Sequence, residues 1–409
     1  MFFHSNHCLC CRNSCKMQTY VHRAVQCTLL KFLDVFSTAY SSFLYLCFKF
    51  SWLAPKWLAW NRFSEGMLRT LEKKILSIVK AAHRGFFVDI GPVVGNSDKI
   101  WTISLNTESP KTPLVLLHGL GAGVALWCLN LDALASVRPV YAIDLLGFGR
   151  SSRPDFSTDA FEAERQLVRS IEEWRKEMKL KDFILLGHSL GGFLAASYAI
   201  KHPERVRHLI LADPWGFPEK PAEHKEVPLW IKGVAYVLKT FNPLAGIRVA
   251  GPFGPWFINF VRPDISKKYQ MALEDPNLIP EYIYQCNSQQ PSGESAFHAM
   301  MSDFGWAKVP IVKRIDKLDP NMPITLLYGA RSWVDHSAGD IIKEKRTNSY
   351  FKLQVISGAG HHIYADKPES FNQMVIDACE YTDSTNPDTT RIIIAPEQEQ
   401  DEPESDRNS

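Results

Sequence analysis

The stretch FILLGHSLGGFLAASYAIK, residues 183–201, decides the fold. A short apolar run, Phe183–Leu186, stops at Gly187, and a helical pattern runs from Gly191 to Lys201. Between them Gly187-His188-Ser189-Leu190-Gly191 has the G-x-S-x-G spacing of a nucleophile elbow in a strand-turn-helix context. Such a turn is sharp and strains the serine backbone, so the flanking positions must be small. The hydroxyl of Ser189 then stands above the carboxyl edge of a sheet as a candidate nucleophile.

Working outward, further short apolar runs end in turn residues: Leu114–Leu117 before His118-Gly119, Val140–Ile143 before Asp144, and Leu209–Ala212 before Asp213-Pro214. Ile324–Tyr328 ends at Gly329, Phe351–Ile356 ends near Gly358, and Ile100–Leu105 alternates. Helical periods occupy Phe161–Met178 and the stripe Leu68, Leu71, Ile75, Ile78 and Ala82, with Ser64 as its N-cap. Short non-alternating strands separated by helices imply an α/β protein with a doubly wound, mostly parallel sheet. Residues 215–320 interrupt this rhythm with Trp215, Trp230, Trp256, Trp306 and many prolines, the pattern of a largely helical cap inserted before the last two strands.

A serine at neutral pH needs a base, and the base needs an orienting carboxylate. In this architecture they follow in the order Ser, Asp or Glu, His. His361, after the Phe351–Ile356 strand and seven residues before Pro368, is preferred to His362 as the base. Asp335, beyond the Ile324–Tyr328 strand, is the preferred acid, with Asp340 second; the usual acid position, three residues after the strand-ending glycine, holds Ser332. The glycine-rich His118-Gly119-Leu120-Gly121 turn predicts an oxyanion hole built from the backbone N–H groups of Leu120 and Leu190, with His118 propping the loop and Asp144 shaping the next one. Asp366 completes an H-x-x-x-x-D spacing with His361, which an N-cap before Pro368 and Glu369 also accounts for.

The chain has 409 residues, 45% apolar and 22% charged, with net charge +2. These totals exclude disorder throughout, a collagen repeat and a disulfide framework, and nothing in them points to nucleic acid. Distribution is more telling. Residues 1–80 carry eleven Lys and Arg against Asp34, Glu65 and Glu72, and hold six of the nine cysteines. Trp52, Trp57 and Trp60 lie within nine residues, interleaved with Leu53, Pro55, Lys56 and Leu58, which reads as a monotopic membrane anchor. Val35–Phe48, at fourteen uncharged residues, is shorter than the roughly 20 that span a bilayer. The Cys8–Cys15 cluster suits palmitoylation or unselected thiols better than zinc, and Met17 is an alternative start. No N-x-Ser/Thr sequon occurs, in keeping with a cytoplasmic chain held peripherally on a membrane. The expected organisation is an N-terminal segment (1–62), a core in two parts (63–214 and 321–383) split by the cap (215–320), and an acidic disordered tail (384–409). Neither a metal-ligand signature nor a dinucleotide fingerprint is present, so no cofactor is expected.

The runs KTPLVLLHGLGAG (111–123), YAIDLLGFGRSSRP (141–154), GHSLGGFLAASYA (187–199), LILADPWGFPEKP (209–221) and GAGHHIYADKPESFNQMV (358–375) resemble the α/β-hydrolase domain-containing 4/5 subfamily over roughly residues 50–383. The resemblance implies an α/β-hydrolase fold. It also implies either a lysophospholipase and N-acylphosphatidylethanolamine lipase (type 4) or a lipid-droplet coactivator of a triglyceride lipase (type 5). Type 4 members keep serine at the elbow, as Ser189 does here, while Gly329-Ala330-Arg331-Ser332 reads more like type 5. The expected substrate is a lipid ester. The expected setting is the endoplasmic reticulum membrane or a lipid droplet, with a lipase or droplet-coat protein as possible partner and acyl-CoA-dependent lysophosphatidate acyl transfer as the rival chemistry.

Overall fold

The computed structural model describes residues 60, 62–220, 242, 244–303, 305–347 and 349–385. The Cys8–Cys15 cluster, Met17, Trp52, Trp57, Trp230 and the acidic tail lie outside these residues. Among the described residues no helix is long and apolar enough to cross a membrane.

The chain enters through α1 (Glu65–Leu76), where Ser64 caps the helix by accepting from the Met67 N–H. The helix ends at Leu76, so Ile78 and Ala82 fall beyond its buried stripe of Leu68, Leu71 and Ile75. An antiparallel pair follows, β1 (His83–Gly91) and β2 (Asp98–Leu105). The periodicity of the sequence did not reveal β1; it is an edge strand whose first five residues are largely exposed, so burial imposes little pattern on it. Then come β3 (Leu114–Leu117), α2 (Leu131–Ala135), β4 (Val140–Ile143), α3 (Ala160–Glu177), β5 (Phe183–His188), α4 (Leu190–Lys201) and β6 (Val206–Ala212).

Between β6 and the next sheet strand the described residues form α5 (Ala245–Val249), α6 (Gly254–Val261), α7 (Pro263–Tyr269), α8 (Leu278–Asn287), α9 (Ser292–Met300) and a small hairpin, β7 (Met301–Asp303) with β8 (Trp306–Ala307). The core resumes with β9 (Ile324–Gly329), α10 (Ser337–Lys345), β10 (Phe351–Ile356), α11 (Ile363–Asp366) and α12 (Pro368–Thr385).

The eight-stranded sheet has the order β1-β2-β4-β3-β5-β6-β9-β10, parallel from β4 to β10. Successive β5 residues enter different cores. Phe183 and Leu185 pack with Trp174 and Phe193 on one face, and Ile184 and Leu186 with Leu116 and Ile210 on the other. Burial on both faces is why these strands read as continuous apolar runs. The parallel strands place their carboxyl ends, and the loops after β3, β5, β6, β9 and β10, along one edge.

One buried polar group in this core gives the fold a measurable acid sensitivity. His208 on β6 lies 2.9 Å from both Thr382 and Thr325 through its two ring nitrogens, and burial pushes it from 6.5 down to about 3. A folded-state value below the unfolded one means the native state binds fewer protons between them. Stability should therefore be full above about pH 6.5 and fall as pH drops towards 3, by up to ~1.4 kcal/mol per unit from this group. Urea midpoints measured against pH should fall less steeply in His208→Gln than in the wild type.

Candidate functional site

The site begins with a backbone constraint. Ser189 has φ 53° and ψ −116°, a conformation that L side chains rarely adopt. Close approach on either side makes the reversal from β5 to α4 possible. A Cβ at Gly187 would lie 2.2 Å from the Gly191 carbonyl oxygen, and one at Gly191 would lie 2.4 Å from that of Leu117. The Ser189 N–H donates to the Ala212 carbonyl at 3.1 Å, and its carbonyl accepts from Trp215 at 3.1 Å. The turn is thereby tied to the end of β6.

His361 meets this turn from the loop after β10. Its Nε2 is 3.0 Å from Ser189 Oγ, and its Nδ1 is 2.5 Å from Asp213 Oδ2. With Nδ1–H donating to the carboxylate, Nε2 is left to accept from the hydroxyl. Asp213 sits just past the end of β6, fully buried, with φ 46°. It accepts from the Gly329 N–H at 3.1 Å and from the Ser332 hydroxyl.

The structure thus corrects the expected position of the acid. Asp335 is exposed and accepts from the N–H and hydroxyl of Ser337 at 2.9 Å, an arrangement that shapes the entry to α10. Asp340 is exposed in the first turn of that helix. The carboxylate that meets His361 stands instead at the end of the neighbouring strand, β6, and Ser332, at the usual acid position, bonds to it. The available signal was Asp213 itself, an aspartate at the carboxyl end of a buried strand.

Asp366 does not touch the His361 ring. Its carboxylate accepts from the Gly360 N–H at 2.8 Å and pairs with Lys268 at 3.1 Å. It closes α11 rather than capping α12, so the N-cap expectation is also corrected: the residue immediately before Pro368 is Lys367.

Two further histidines frame the base. His188 is buried, and its Nε2–H donates to the His361 carbonyl at 2.9 Å, holding the backbone that carries the base. Burial and the neighbouring His361 hold its pKa well below the ordinary histidine value, so it is neutral. His362 is likewise depressed, by burial first and then by His188. The Trp333 ring lies 5.0 Å from that of His361.

The loop after β3 supplies the opposite wall. A Cβ on Gly119 would stand 2.8 Å from His188 Nδ1 and 3.0 Å from Ser189 Cβ, so only glycine lets this backbone approach the nucleophile. His118 contacts the Gly119 carbonyl through Nδ1 at 2.8 Å and accepts from the Leu145 N–H through Nε2 at 3.1 Å. Burial lowers its pKa and keeps it in that neutral, bridging form. Asp144 accepts from the Val124 and Arg150 N–H groups at 2.8 Å. Leu120 therefore lies on a braced loop beside Ser189, and Leu190 opens α4, where the first N–H groups have no partner within the helix.

Trp60 is half exposed, and its indole N–H donates to the Val249 carbonyl at 2.8 Å. Among the described residues no group of three His, Cys, Asp or Glu side chains is arranged to hold a metal ion.

The family model described as "alpha/beta hydrolase fold" matches residues 112–368. The chain is 49% identical to the Sus scrofa "1-acylglycerol-3-phosphate O-acyltransferase ABHD5" over 342 residues, 82% of this chain and 96% of the relative. It is 48% identical to the Homo sapiens "(Lyso)-N-acylphosphatidylethanolamine lipase" over 336 residues, 81% and 97% of the two chains. Among solved structures, naproxen esterase from Bacillus subtilis aligns with TM-score 0.55 at 20% identity, over 77% of this chain and 99% of its own. A bacterial membrane phospholipase A aligns with TM-score 0.54 at 20% identity, over 87% and 99%. At that identity the two structures speak for the fold alone.

The elbow geometry makes its glycines sensitive to a single carbon. Gly191→Ala should force backbone movement between α4 and β3, lowering stability by about 1–3 kcal/mol. A thermal melt should show the loss, together with slower reaction of Ser189 with a fluorophosphonate.

Proposed function

Because the chain belongs to the α/β-hydrolase family, in the branch of ABHD5 and the (lyso)-N-acylphosphatidylethanolamine lipases, we propose that it is a serine hydrolase of lipid esters. It acts as a (lyso)phospholipase or N-acylphosphatidylethanolamine lipase that releases fatty acid at a membrane or lipid-droplet surface. The observation that carries this reading is the unbroken chain from Asp213 through His361 to Ser189, with contacts of 2.5 and 3.0 Å.

Asp213, buried and held by two further donors, fixes the imidazole with Nδ1–H towards itself and stabilises the imidazolium that forms. His361 Nε2 takes the hydroxyl proton as Ser189 Oγ attacks the ester carbonyl. The carbonyl oxygen becomes an oxyanion against the Leu120 and Leu190 N–H groups. His361 returns the proton to the departing alcohol, leaving an acyl-serine. It then takes a proton from water, which attacks the acyl carbon and frees the fatty acid and Ser189.

Three features support this reading over the alternatives. The elbow residue is serine and its base is in hydrogen-bonding reach, which supports hydrolysis over a non-hydrolytic coactivator. Asp366 serves Gly360 and Lys268 instead of His361, which weighs against acyl transfer through an H-x-x-x-x-D pair. A lipid surface fits the outer face of the insertion. Near Trp60, residues 249–261 expose Phe253, Trp256 and Phe260, the last two 65% and 70% exposed and stacked at 5.4 Å. Trp60 bonds to Val249 beside these rings, so it and this face would meet one leaflet together.

Asp213→Asn should lower fluorophosphonate labelling and lysophospholipid hydrolysis by about 10³–10⁴-fold, the scale for a triad acid left in the wrong tautomer. Asp335→Asn and Asp340→Asn should stay within about two-fold of wild type. Equal loss in Asp335→Asn would return the acid to the position expected from sequence.

A further inference from the structure

One helix of the insertion grips the loop proposed to hold the oxyanion. Asn287, buried at the end of α8, donates through Nδ2 to the Gly121 carbonyl at 2.8 Å and to the Ile283 carbonyl of its own helix, also at 2.8 Å. One turn earlier the Tyr282 hydroxyl, fully buried, accepts from the Ala125 N–H at 3.3 Å. α8 therefore holds this stretch at Gly121 and again at Ala125 from outside the core sheet. His118 fixes the peptide that carries the Leu120 N–H, and Asn287 fixes the carbonyl just beyond it.

The helix doing this is itself braced on its other side. The Gln285 side chain accepts from the Ser64 N–H at 2.8 Å and donates to the Arg62 carbonyl at 3.1 Å, and the Tyr284 hydroxyl accepts from the Arg62 N–H at 3.1 Å. Arg248 donates to the Asn287 carbonyl at 2.9 Å and pairs with Glu294 at 2.7 Å. A helix braced at so many points can hold a loop to the sub-ångström tolerance that transition-state hydrogen bonds require.

We propose that Asn287 is a positioning residue for the oxyanion hole, its amide fixing the Gly121 carbonyl so that the Leu120 N–H stays aimed at the charge developing on the substrate oxygen. This rests on the serine-hydrolase reading. Asn287 touches neither substrate nor Ser189, so its removal should act on the transition state and spare ground-state binding. Removing an oxyanion donor outright costs about 10²–10³-fold in kcat, and loosening the loop that carries it should cost less, about 10–100-fold.

The experiment compares full-length wild type, Asn287→Leu and Asn287→Gln on a soluble short-chain p-nitrophenyl ester. Alongside turnover it measures inhibition by an alkyl trifluoromethyl ketone, whose tetrahedral adduct with Ser189 needs the hole. Asn287→Leu should lower kcat and inhibitor affinity in parallel by about 10–100-fold with KM within about two-fold, and Asn287→Gln, which keeps a donor, should recover part of both. Folding is read from the melting temperature, and if the leucine variant does not fold, Asn287→Ser takes its place with the same expected split. A folded variant with unchanged kcat and inhibitor affinity, or one that changes KM alone, overturns the role of Asn287. A wild type that neither turns over ester nor binds the inhibitor overturns the hydrolase reading beneath it, which is a distinguishable result.

Discussion

The site depends on the left-handed backbone of Ser189 and on the two bonds that keep it there. Its N–H is held by Ala212 and its carbonyl by Trp215, so the elbow is fastened to the residues on either side of Asp213-Pro214. The same contacts that stabilise the strained turn therefore set the distance between Ser189 and Asp213. Asp213 is in turn anchored by its own N–H to Leu327 at 2.7 Å, and its carboxylate by Gly329. β6 lies between β5 and β9 in the sheet, and the carboxylate just past its end reaches the His361 imidazole, which also meets Ser189 at the end of β5. That position for the acid is a consequence of strand order as much as of side-chain chemistry.

The insertion between β6 and β9 connects this catalytic edge to the entry of the chain. α8 contacts the segment Arg62–Ser64 on one side and the loop after β3 on the other, and Trp60, just before that segment, donates to the Val249 carbonyl at the end of α5. The inward residues of these helices are mainly apolar, with the Asn287 amide and the Tyr282 hydroxyl as polar contacts to the loop after β3.

Much of this was legible in the sequence. β3 and β4 have the bounds that their apolar runs suggest, because strands buried on both faces leave an uninterrupted signal, and the half-buried edge strand β10 also matches its expected bounds. Ser64 caps α1 as its place before a periodic run implies. The G-x-S-x-G elbow and His361 fall where strand ends place them, and the structure brings both within reach of one another. The acid was the least legible part. Asp335 and Asp340 follow β9 in sequence, but whether a carboxylate after a strand turns inward or caps the next helix depends on local turns. Ser337, with two donors two residues away, captured Asp335. Asp366 was misread for a related reason: its partners, Gly360 and Lys268, are a preceding turn and a helix nearly a hundred residues away. The support from Asn287 and Tyr282 is of the same long-range kind, which periodicity and motif spacing do not encode.

Whether Ser189 is an activated nucleophile can be read by mass spectrometry of the purified chain after reaction with a fluorophosphonate. A single phosphonyl adduct should map to the peptide containing Ser189 and be absent after heat denaturation before exposure. A folded protein that takes no adduct, or one modified at another residue, would contradict it.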